Sequence, residues 1–402
     1  MSEWPEVRLG DVAKEITVGH VGPMAHEYRS DGVPFLRSQN ILPFRIDLSD
    51  VKYISPDFHT RLAKSALRPG DVLTVRTGKP GTTAIVPEDW AAANCSDLVI
   101  TRPGPRLDGR WFSYYMNSAS GYVSNHVVGA VQQHFNVGSA KAMILALPPL
   151  AEQRAIADVL GALDDKIAAD RRELATTGQL IPALFESSFG GSARKTRLTD
   201  LVTVTKGVSY RSSDLAESRT CLVTLKSVGR DGSYQSEGLK AYVGPYKPSQ
   251  EIRPGETVVA QTDLTQAAEV VGRAVRVPMA SGVDRLVASL DLAIVRSSGG
   301  APAEFVFGVL IDRRFREHCR ARTSGTTVLH LASDAFSSYF APEVPAEAQA
   351  KFADRIRPLL SRQDALVEES RTLAALRDTL LPALMSGKLR VQDAEDAVSA
   401  VV

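Results

Sequence analysis

The sequence has few cysteines and no long apolar run, and each shortage excludes a class of protein. Its three cysteines, Cys95, Cys221 and Cys319, are too few and too widely spaced for a disulfide framework or a CxxC metal site. No apolar run reaches the roughly 18 residues needed to cross a bilayer. The segment MSEWPEVRLGD lacks the basic start and apolar core of a signal peptide. We therefore expect a cytoplasmic protein without membrane contact.

An excess of charge of one sign is also missing. The 47 Lys and Arg residues nearly balance the 46 Asp and Glu residues, which gives a net charge of +1 and a pI of about 7.7. A chain that held nucleic acid by charge alone would be more basic. Any DNA binding must therefore depend on local patches or on a partner that adds positive charge. At 402 residues, two or three domains are expected.

Catalytic motifs are absent as well. The sequence contains no GxGxxG, Walker, HExxH or GxSxG motif, and no (D/N)PP(Y/F) tetrapeptide of an amino-methyltransferase. GKPGTT (78–83) is better interpreted as a hairpin turn, because Pro80 stands where a phosphate loop has Ser or Thr. The histidines do not cluster at metal-ligand spacing. We expect no catalytic residue, no metal ligand and no cofactor-binding residue in this chain.

What the chain does contain is an internal repeat. Six segments recur in the same order about 185 to 196 residues later. The pairs are RLGDVAKEITVG (8–19) with RLTDLVTVTKG (197–207), FLRSQ (35–39) with TLKSV (224–228), RPGDVLTVRTG (68–78) with RPGETVVAQTD (253–263), SDLVITR (96–102) with LDLAIVR (290–296), GAVQQHFNV (129–137) with GTTVLHLAS (325–333), and PPLAEQ (148–153) with VPAEAQ (344–349). The order makes a tandem duplication the best explanation.

Each copy begins with short β-branched runs broken by turn residues, which predict strands and hairpins. WFSYYMNS (111–118) and EFVFGVLIDRRFREHC (304–319) predict helices inside this mixed α/β unit. A long helix then follows in each copy. Pro182 and Pro382 should kink or end these helices.

The apolar positions of the long helices alternate spacings of four and three residues, which is the repeat of a coiled-coil seam. The seam positions are Ile156, Leu160, Leu163, Ile167, Asp170, Leu174, Thr177, Ile181 and Leu184 in the first copy, and Phe352, Ile356, Leu359, Gln363, Leu366, Ser370, Leu373, Arg377, Leu380 and Leu384 in the second. We predict that the two helices pair as an antiparallel coiled coil. The alternative is that each helix lies only on its own domain.

Polar residues able to read base edges occupy matching loops of the two copies. Arginine suits guanine, while glutamine and asparagine suit adenine, in the major groove. The candidate DNA-binding residues are Arg37, Ser38, Gln39, Asn40, Arg76, Thr77, Lys79, Gln132, Gln133 and His134 in the first copy, and Lys226, Ser227, Gln261, Thr262, Gln266, Thr326, Thr327 and His330 in the second, where Asp263 shares the loop. For any one of them, an ordinary solvated loop or turn role is the alternative.

These features together resemble the specificity subunit of type I restriction-modification systems. The resemblance covers nearly the whole chain. The segments that resemble the family are RLGDV, FLRSQNI, RPGDVLTVRTGKPGT, LPPLAEQRAIADVLGALDDKI and LLPALMSGKLRV. The second copy departs from the helix-start motif, because Ala346 and Ala348 replace Leu and Glu.

The resemblance implies an α+β fold in which a mixed α/β target-recognition domain followed by a long helix is duplicated. It places the first recognition domain at 1–147, its spacer helix at 148–190, the second recognition domain at 191–342, its helix at 343–391 and a flexible tail at 392–402. Each recognition domain would read one half of a bipartite, asymmetric site in double-stranded DNA.

The resemblance also implies partners that do the chemistry. Two modification subunits would use S-adenosylmethionine to methylate adenine N6 on a flipped-out base. A restriction subunit, a motor-nuclease, would use ATP and Mg. Two rivals stay open: a scaffold whose domains bind protein or RNA, and a self-contained methyltransferase.

Overall fold

A computed structural model describes residues 4–118, 135–278 and 280–401. The chain divides into two compact units. The first combines Met1–Lys166 with Leu373–Val402, and the second is Ile167–Thr372. Both boundaries fall inside long helices.

Short helices lie within the units, and two helices of 40 residues each follow the two copies. They are α1 (Leu9–Val12), α2 (Pro56–Arg61), α3 (Gly109–Ser118), α4 (Val137–Ala142), α5 (Leu150–Phe189), α6 (Ala303–Ile311), α7 (Arg313–Arg320), α8 (Ala346–Met385) and α9 (Val391–Ser399). The predicted helix at 111–118 is confirmed, and the one at 304–319 is confirmed as two helices that meet at Asp312. Within the sequence assigned to a flexible tail, α9 buries Ala394 and Val398.

The first unit contains two four-stranded sheets. Its strands are β1 (Glu6–Arg8), β2 (Ala13–Val18), β3 (Val33–Leu36), β4 (Ile41–Leu42), β5 (Arg45–Ile46), β6 (Lys52–Ile54), β7 (Ala66–Leu67), β8 (Val72–Val75), β9 (Thr83–Ile85), β10 (Ala93–Cys95), β11 (Leu98–Pro103) and β12 (Ile144–Ala146). One sheet has the order β2-β11-β8-β9 and is antiparallel throughout. The other has the order β6-β3-β10-β7, with β3 and β10 parallel. β1 pairs with β12, and β4 with β5.

The second unit repeats the two four-stranded sheets and the β1–β12 pair, and it adds a three-stranded sheet of its own. Its strands are β13 (Lys195–Arg197), β14 (Val202–Lys206), β15 (Thr220–Val223), β16 (Lys240–Ala241), β17 (Glu251–Ile252), β18 (Thr257–Ala260), β19 (Thr262–Asp263), β20 (Ala274–Arg276), β21 (Arg285–Ala288), β22 (Leu292–Ser297), β23 (Thr323–Ser324), β24 (Leu329–Leu331) and β25 (Phe340–Pro342). The sheets run β14-β22-β18-β20 and β16-β15-β21-β17, and β13 pairs with β25. The second sheet again has one parallel pair, β15 with β21. The duplication predicted from the sequence is therefore present in the fold.

In each unit the two sheets share an apolar core formed by alternate strand residues. Leu36 and Cys95 of one sheet pack with Leu73 and Ile100 of the other in the first unit. The second unit fills its core in the same way, with smaller side chains at several positions; the strand members are Val223, Ile252, Val258, Ala260, Val275, Leu286, Ala288, Leu292 and Ile294.

The glutamine shared by the two helix-start motifs has the same structural role in both copies. Gln153 Nε2 donates to the Pro148 carbonyl oxygen at 2.9 Å, and Gln349 Nε2 donates to the Val344 carbonyl oxygen at 2.8 Å. The amide thus fixes the chain where the last strand passes into the helix. Gln153 is fully buried and also accepts from the Asp108 N–H at 2.8 Å.

Polar residues at or beside the two helical seams bind across the helix pair. In the second unit, Ser370 donates to Asp170 at 3.2 Å, and Gln363 Nε2 donates to Thr177 at 3.1 Å. In the first unit, Arg377 and Asp164 form an ion pair of 2.6 Å. Because partners on α8 rise in number as those on α5 fall, the two helices are antiparallel, as predicted.

The prediction was that Pro182 would kink or end its helix, and the helix does not end there, because α5 continues to Phe189. Proline removes the N–H that would bond the carbonyl four residues earlier. That carbonyl belongs to exposed Gly178, where water can bind it. The buried side chains of Ile181 and Phe185 hold the helix in place on either side. α8 ends at Met385, three residues after Pro382, as expected.

Candidate nucleic-acid interface

The first candidate loop follows β3 and is organised around Asp50. Arg37 Nη2 lies 3.3 Å from Asp50 Oδ2, and Gln39 Nε2 donates to the same oxygen at 2.6 Å. Lys52 Nζ lies 3.1 Å from Asp50 Oδ1. Burial acts to raise the pKa of Asp50, but Lys52 and Arg37 outweigh it, and the pKa is lowered. The carboxylate therefore stays ionised and orients two of the predicted DNA-reading side chains.

Asn40 and Ser38 differ in exposure within this loop. Asn40 is 2% exposed; its Oδ1 accepts from the Arg37 N–H at 3.0 Å and its Nδ2 donates to the Asp47 carbonyl oxygen at 3.0 Å. Both ends of the amide are thus used to shape the loop. Ser38 is half-buried and Gln39 is exposed.

The second candidate loop follows β8 and is organised around Asp97. Arg76 Nη1 lies 2.7 Å from Asp97 Oδ1, and Thr77 Oγ1 donates to Asp97 Oδ2 at 2.8 Å. Asp97 adopts a positive φ of 53°. Lys79 is exposed at the tip of the same loop. Gln132, Gln133 and His134 lie outside the described residues.

In the second copy, the loop after β15 separates its two candidates. Lys226 is exposed, whereas Ser227 is fully buried. The Ser227 hydroxyl accepts from the Thr224 N–H at 3.4 Å. Ser227 therefore supports the turn that presents Lys226.

The remaining candidates of the second copy meet around a small sheet of order β19-β24-β23. His330 stands opposite Thr262 in the antiparallel register of β24 and β19. Gln266 Nε2 donates to the Thr326 carbonyl oxygen, which ties the loop after β19 to the β23–β24 turn. Thr326, Thr327 and His330 are exposed. The structure thus brings four candidates together: Thr262, Gln266, Thr326 and His330.

Asp263 holds the base of this surface. Its Oδ2 accepts from the backbone N–H groups of Val270 and Val271, and its Oδ1 accepts from Thr265. Burial acts to raise the pKa of Asp263, but these hydrogen bonds outweigh it, and the pKa is lowered. The loop is therefore closed by an ionised, 1% exposed carboxylate.

Gln261 and Thr262 occupy the places that Arg76 and Thr77 have in the first copy. Thr262 Oγ1 donates to Asp291 Oδ1 at 2.9 Å, and Gln261 Nε2 donates to the Leu290 carbonyl oxygen at 3.4 Å. The threonine–aspartate hydrogen bond is therefore duplicated, while its neighbour changes from arginine to glutamine.

Sequence reasoning named Asp263 with its loop but missed Asp50, Asp97 and Asp291, which organise the other contacts. Asp97 and Asp291 are aligned in SDLVITR and LDLAIVR, so the repeat itself carried the signal. Asp50 has no such signal, because its contacts with residues 37 and 39 depend on tertiary folding.

Within the part of the chain described, no group of His, Cys, Asp and Glu is placed to hold a metal ion, and no helix is long and apolar enough to cross a membrane.

Two copies of one α/β unit, each with divergent polar loops and a long helix, define the protein as a tandem duplication. The family model of the type I restriction modification DNA specificity domain matches residues 1–176. Over these residues the chain is similar to that family, in agreement with the resemblance seen in the sequence. The second copy has the same strand order, although the model match does not extend to it.

Among solved structures, one shows the same fold as this chain over nearly its whole length. The type I restriction-modification system S subunit from M. genitalium is 12% identical, with a TM-score of 0.56, over 95% of this chain and 96% of that one. The HsdS subunit from Thermoanaerobacter tengcongensis is 17% identical, with a TM-score of 0.34, over 96% and 97%. A chain from a study of complex assembly of the type I R-M system is 17% identical, with a TM-score of 0.37, over 96% and 98%. At these identities the first match supports the α+β fold and its duplication.

Proposed function

We propose that this chain is the DNA-specificity subunit of a type I restriction-modification complex, in which each copy reads one half of a bipartite, asymmetric site. The proposal rests on one observation: the two copies share the same framework but carry different loops. Equivalent loops present Arg76 in one copy and Gln261 in the other, residues that suit different bases. Two identical copies would read a symmetric site; unlike copies read an asymmetric one.

The proposal assigns no catalysis to this chain. Two modification subunits that use S-adenosylmethionine would methylate adenine, and a restriction subunit that uses ATP and Mg would cleave. The near balance of charge supports this division, because a subunit of net charge +1 gains from partners that share the phosphate contacts. The exposed faces of α5 and α8 are the surfaces we assign to docking of the modification subunits.

Methylome sequencing of the host, with the gene present and deleted, tests this function. We expect one bipartite adenine-methylation motif with two different half-sites to disappear on deletion. An unchanged methylome would contradict the proposal. The rival of a self-contained methyltransferase is tested separately, with purified chain, DNA and radiolabelled S-adenosylmethionine; methyl transfer by the chain alone would support that rival.

We also propose that the helix pair sets the spacer between the half-sites. The Asp170–Ser370 and Thr177–Gln363 hydrogen bonds fix the register of α5 against α8. Seven residues inserted between the two hydrogen-bonded positions in both helices would preserve the seam and lengthen it by about 10 Å.

The expected result is a methylation motif with unchanged half-sites and a spacer longer by about three base pairs, since DNA rises about 3.4 Å per base pair. Insertion into α5 alone is the control; it mismatches the polar positions and should reduce methylation at any spacing. If the paired insertion left the spacer unchanged, that result would contradict the proposal that the helix pair sets the spacer length.

A further inference from the structure

Three arginines of the second unit converge on the loop that carries Gln266. Arg273 Nε and Arg316 Nη2 both donate to the Glu269 carbonyl oxygen, at 2.8 and 3.0 Å. Arg320 Nη2 donates to the Ala267 carbonyl oxygen at 3.0 Å. Arg316 and Arg320 are four residues apart on α7 and therefore share a face of that helix. Arg273, Arg316 and Arg320 are called the arginine cluster below.

The arginine cluster differs from its neighbours in having no carboxylate partner. On the same helix, Arg313 pairs with Glu317 at 2.9 Å and Arg314 pairs with Asp312 at 2.7 Å. Among the residues that the structure describes, no member of the cluster forms such an ion pair. Arg316 Nε is also buried without a hydrogen-bond partner there.

The carboxylates near the cluster are engaged elsewhere. Glu269 lies 3.3 Å from Arg230, and Asp231 accepts from the Ser233 hydroxyl at 2.6 Å. Asp263 is occupied by the backbone of its own loop. These carboxylates offset part of the positive charge of Arg273 and Arg316, but none of them forms an ion pair with the cluster among the described residues.

The pKa values of two of these arginines reflect how close the three side chains lie to one another. Burial, followed by repulsion from Arg316 and Arg320, outweighs the opposing effect of Asp231 and Glu269 and lowers the pKa of Arg273 to about 10. Burial and then Arg320 also lower the pKa of Arg316. At neutral pH all three guanidinium groups remain protonated, so an anion that bound them would reduce their mutual repulsion.

We infer that the arginine cluster binds a backbone phosphate of duplex DNA beside the base-reading surface of the second copy. This rests on the proposed function. Guanidinium groups bind phosphate through two parallel hydrogen bonds, and phosphate contacts fix the register in which side chains meet the bases. The cluster is coupled to that surface through a single loop, since Gln266 belongs to the segment whose carbonyl groups the arginines hold.

The test compares R320Q with R313Q, which removes the same charge from an 82% exposed position on the same helix. Full chain, with any subunits that co-purify, is titrated with a duplex that carries the methylated motif and with a scrambled duplex, over a range of salt. R320Q should weaken binding to both duplexes equally. It should reduce the slope of log affinity against log salt by about 0.9, the value for one phosphate contact. R313Q should leave the slope unchanged.

Two further variants separate phosphate binding from loop support. R320K keeps the charge and should keep most of the slope, whereas a purely structural role would lower the melting temperature in R320Q and R320K without changing the slope. Equal slopes for R320Q and R313Q, with the motif still preferred by the wild type, would overturn the inference alone. No binding of wild type to either duplex would instead overturn the proposed function.

Discussion

The loops after β8 and after β18 share one hydrogen-bonded framework but carry different side chains. Both place a threonine hydroxyl on an aspartate, at 2.8 Å for Thr77 and Asp97 and at 2.9 Å for Thr262 and Asp291. The residue before the threonine then differs: Arg76 forms an ion pair with Asp97, while Gln261 bonds a backbone carbonyl oxygen. The framework is thus retained where it orients the loop and varied where a side chain could meet a base.

The next position of these loops diverges further. Gly78 adopts a φ of 88°, and a Cβ at this position would touch nothing within 4 Å. Its counterpart Asp263 is buried and gathers the hydrogen bonds of its own loop. One copy therefore uses glycine to form an open turn, and the other uses a carboxylate to close a longer one. Loop length and shape, as well as base-reading residues, distinguish the copies.

The largest expected effect on the free energy of unfolding comes from substitutions near the C-terminal ends of α5 and α8. Phe185 of α5 is 1% exposed and packs against Phe189, Phe305 and Phe352 at ring-centroid distances of 5.3, 5.9 and 5.5 Å. Its counterpart Met385 of α8 is 7% exposed. F185A should cost about 4 kcal/mol of unfolding free energy, and M385A about 2 kcal/mol, because a flexible thioether leaves neighbours that adapt more easily.

Urea denaturation monitored by circular dichroism measures both costs. F185L is the matched control, since it keeps most of the apolar volume and should recover more than half of the loss. Equal costs for F185A and M385A would mean that the aromatic cluster adds nothing beyond the volume it fills.

The sequence predicted the fold better than it predicted the interface, for a physical reason. Helical periodicity and strand patterns are local, and the repeat doubled every signal, so α5, α8 and the tandem arrangement could be read directly. The exposure of Asn40 and Ser227 could not, because a polar residue in a turn can either face solvent or bind the turn's own backbone. The contacts of Arg37 and Gln39 with Asp50 depend on tertiary folding, as does the arginine cluster, and no alternation of residues encodes them.

Asp263 gives the second contrast, since the first copy has no carboxylate at this place. D263N replaces an acceptor with an amide whose NH₂ would face the N–H groups of Val270 and Val271. The resulting loss of hydrogen bonds at a buried site should cost about 2 kcal/mol at neutral pH. An exposed aspartate of the same unit, in the variant D334N, serves as the control and should be nearly neutral.

The cost of D263N should depend on pH. Because folding lowers the pKa of Asp263, its stabilisation is fully present above the unfolded-state pKa of about 3.9 and is lost as the pH falls through the folded-state value. The stabilities of wild type and D263N should therefore begin to converge below about pH 3.9 and meet once the pH is below the folded-state pKa. Urea midpoints measured between neutral and acidic pH check this; a constant difference would show that the shape of the side chain, not its charge, closes the loop.

The smallest energetic effect tests the comparison most directly. D97N removes the partner of Arg76, but Asp97 is 42% exposed, so screening limits the loss to about 0.5 kcal/mol. D291N should cost even less, because an Asn oxygen still accepts from Thr262. Asn also tolerates the positive φ of residue 97, so D97N should not strain the backbone.

D97N should also change base choice, because it releases the Arg76 guanidinium. We expect D97N to relax base choice in one half-site of the methylated motif and to leave the other intact, as should R76Q and substitution of Arg37. Methylome sequencing of hosts that carry each variant measures this; relaxation of both half-sites together would show that Arg76 holds the fold or a phosphate instead of a base.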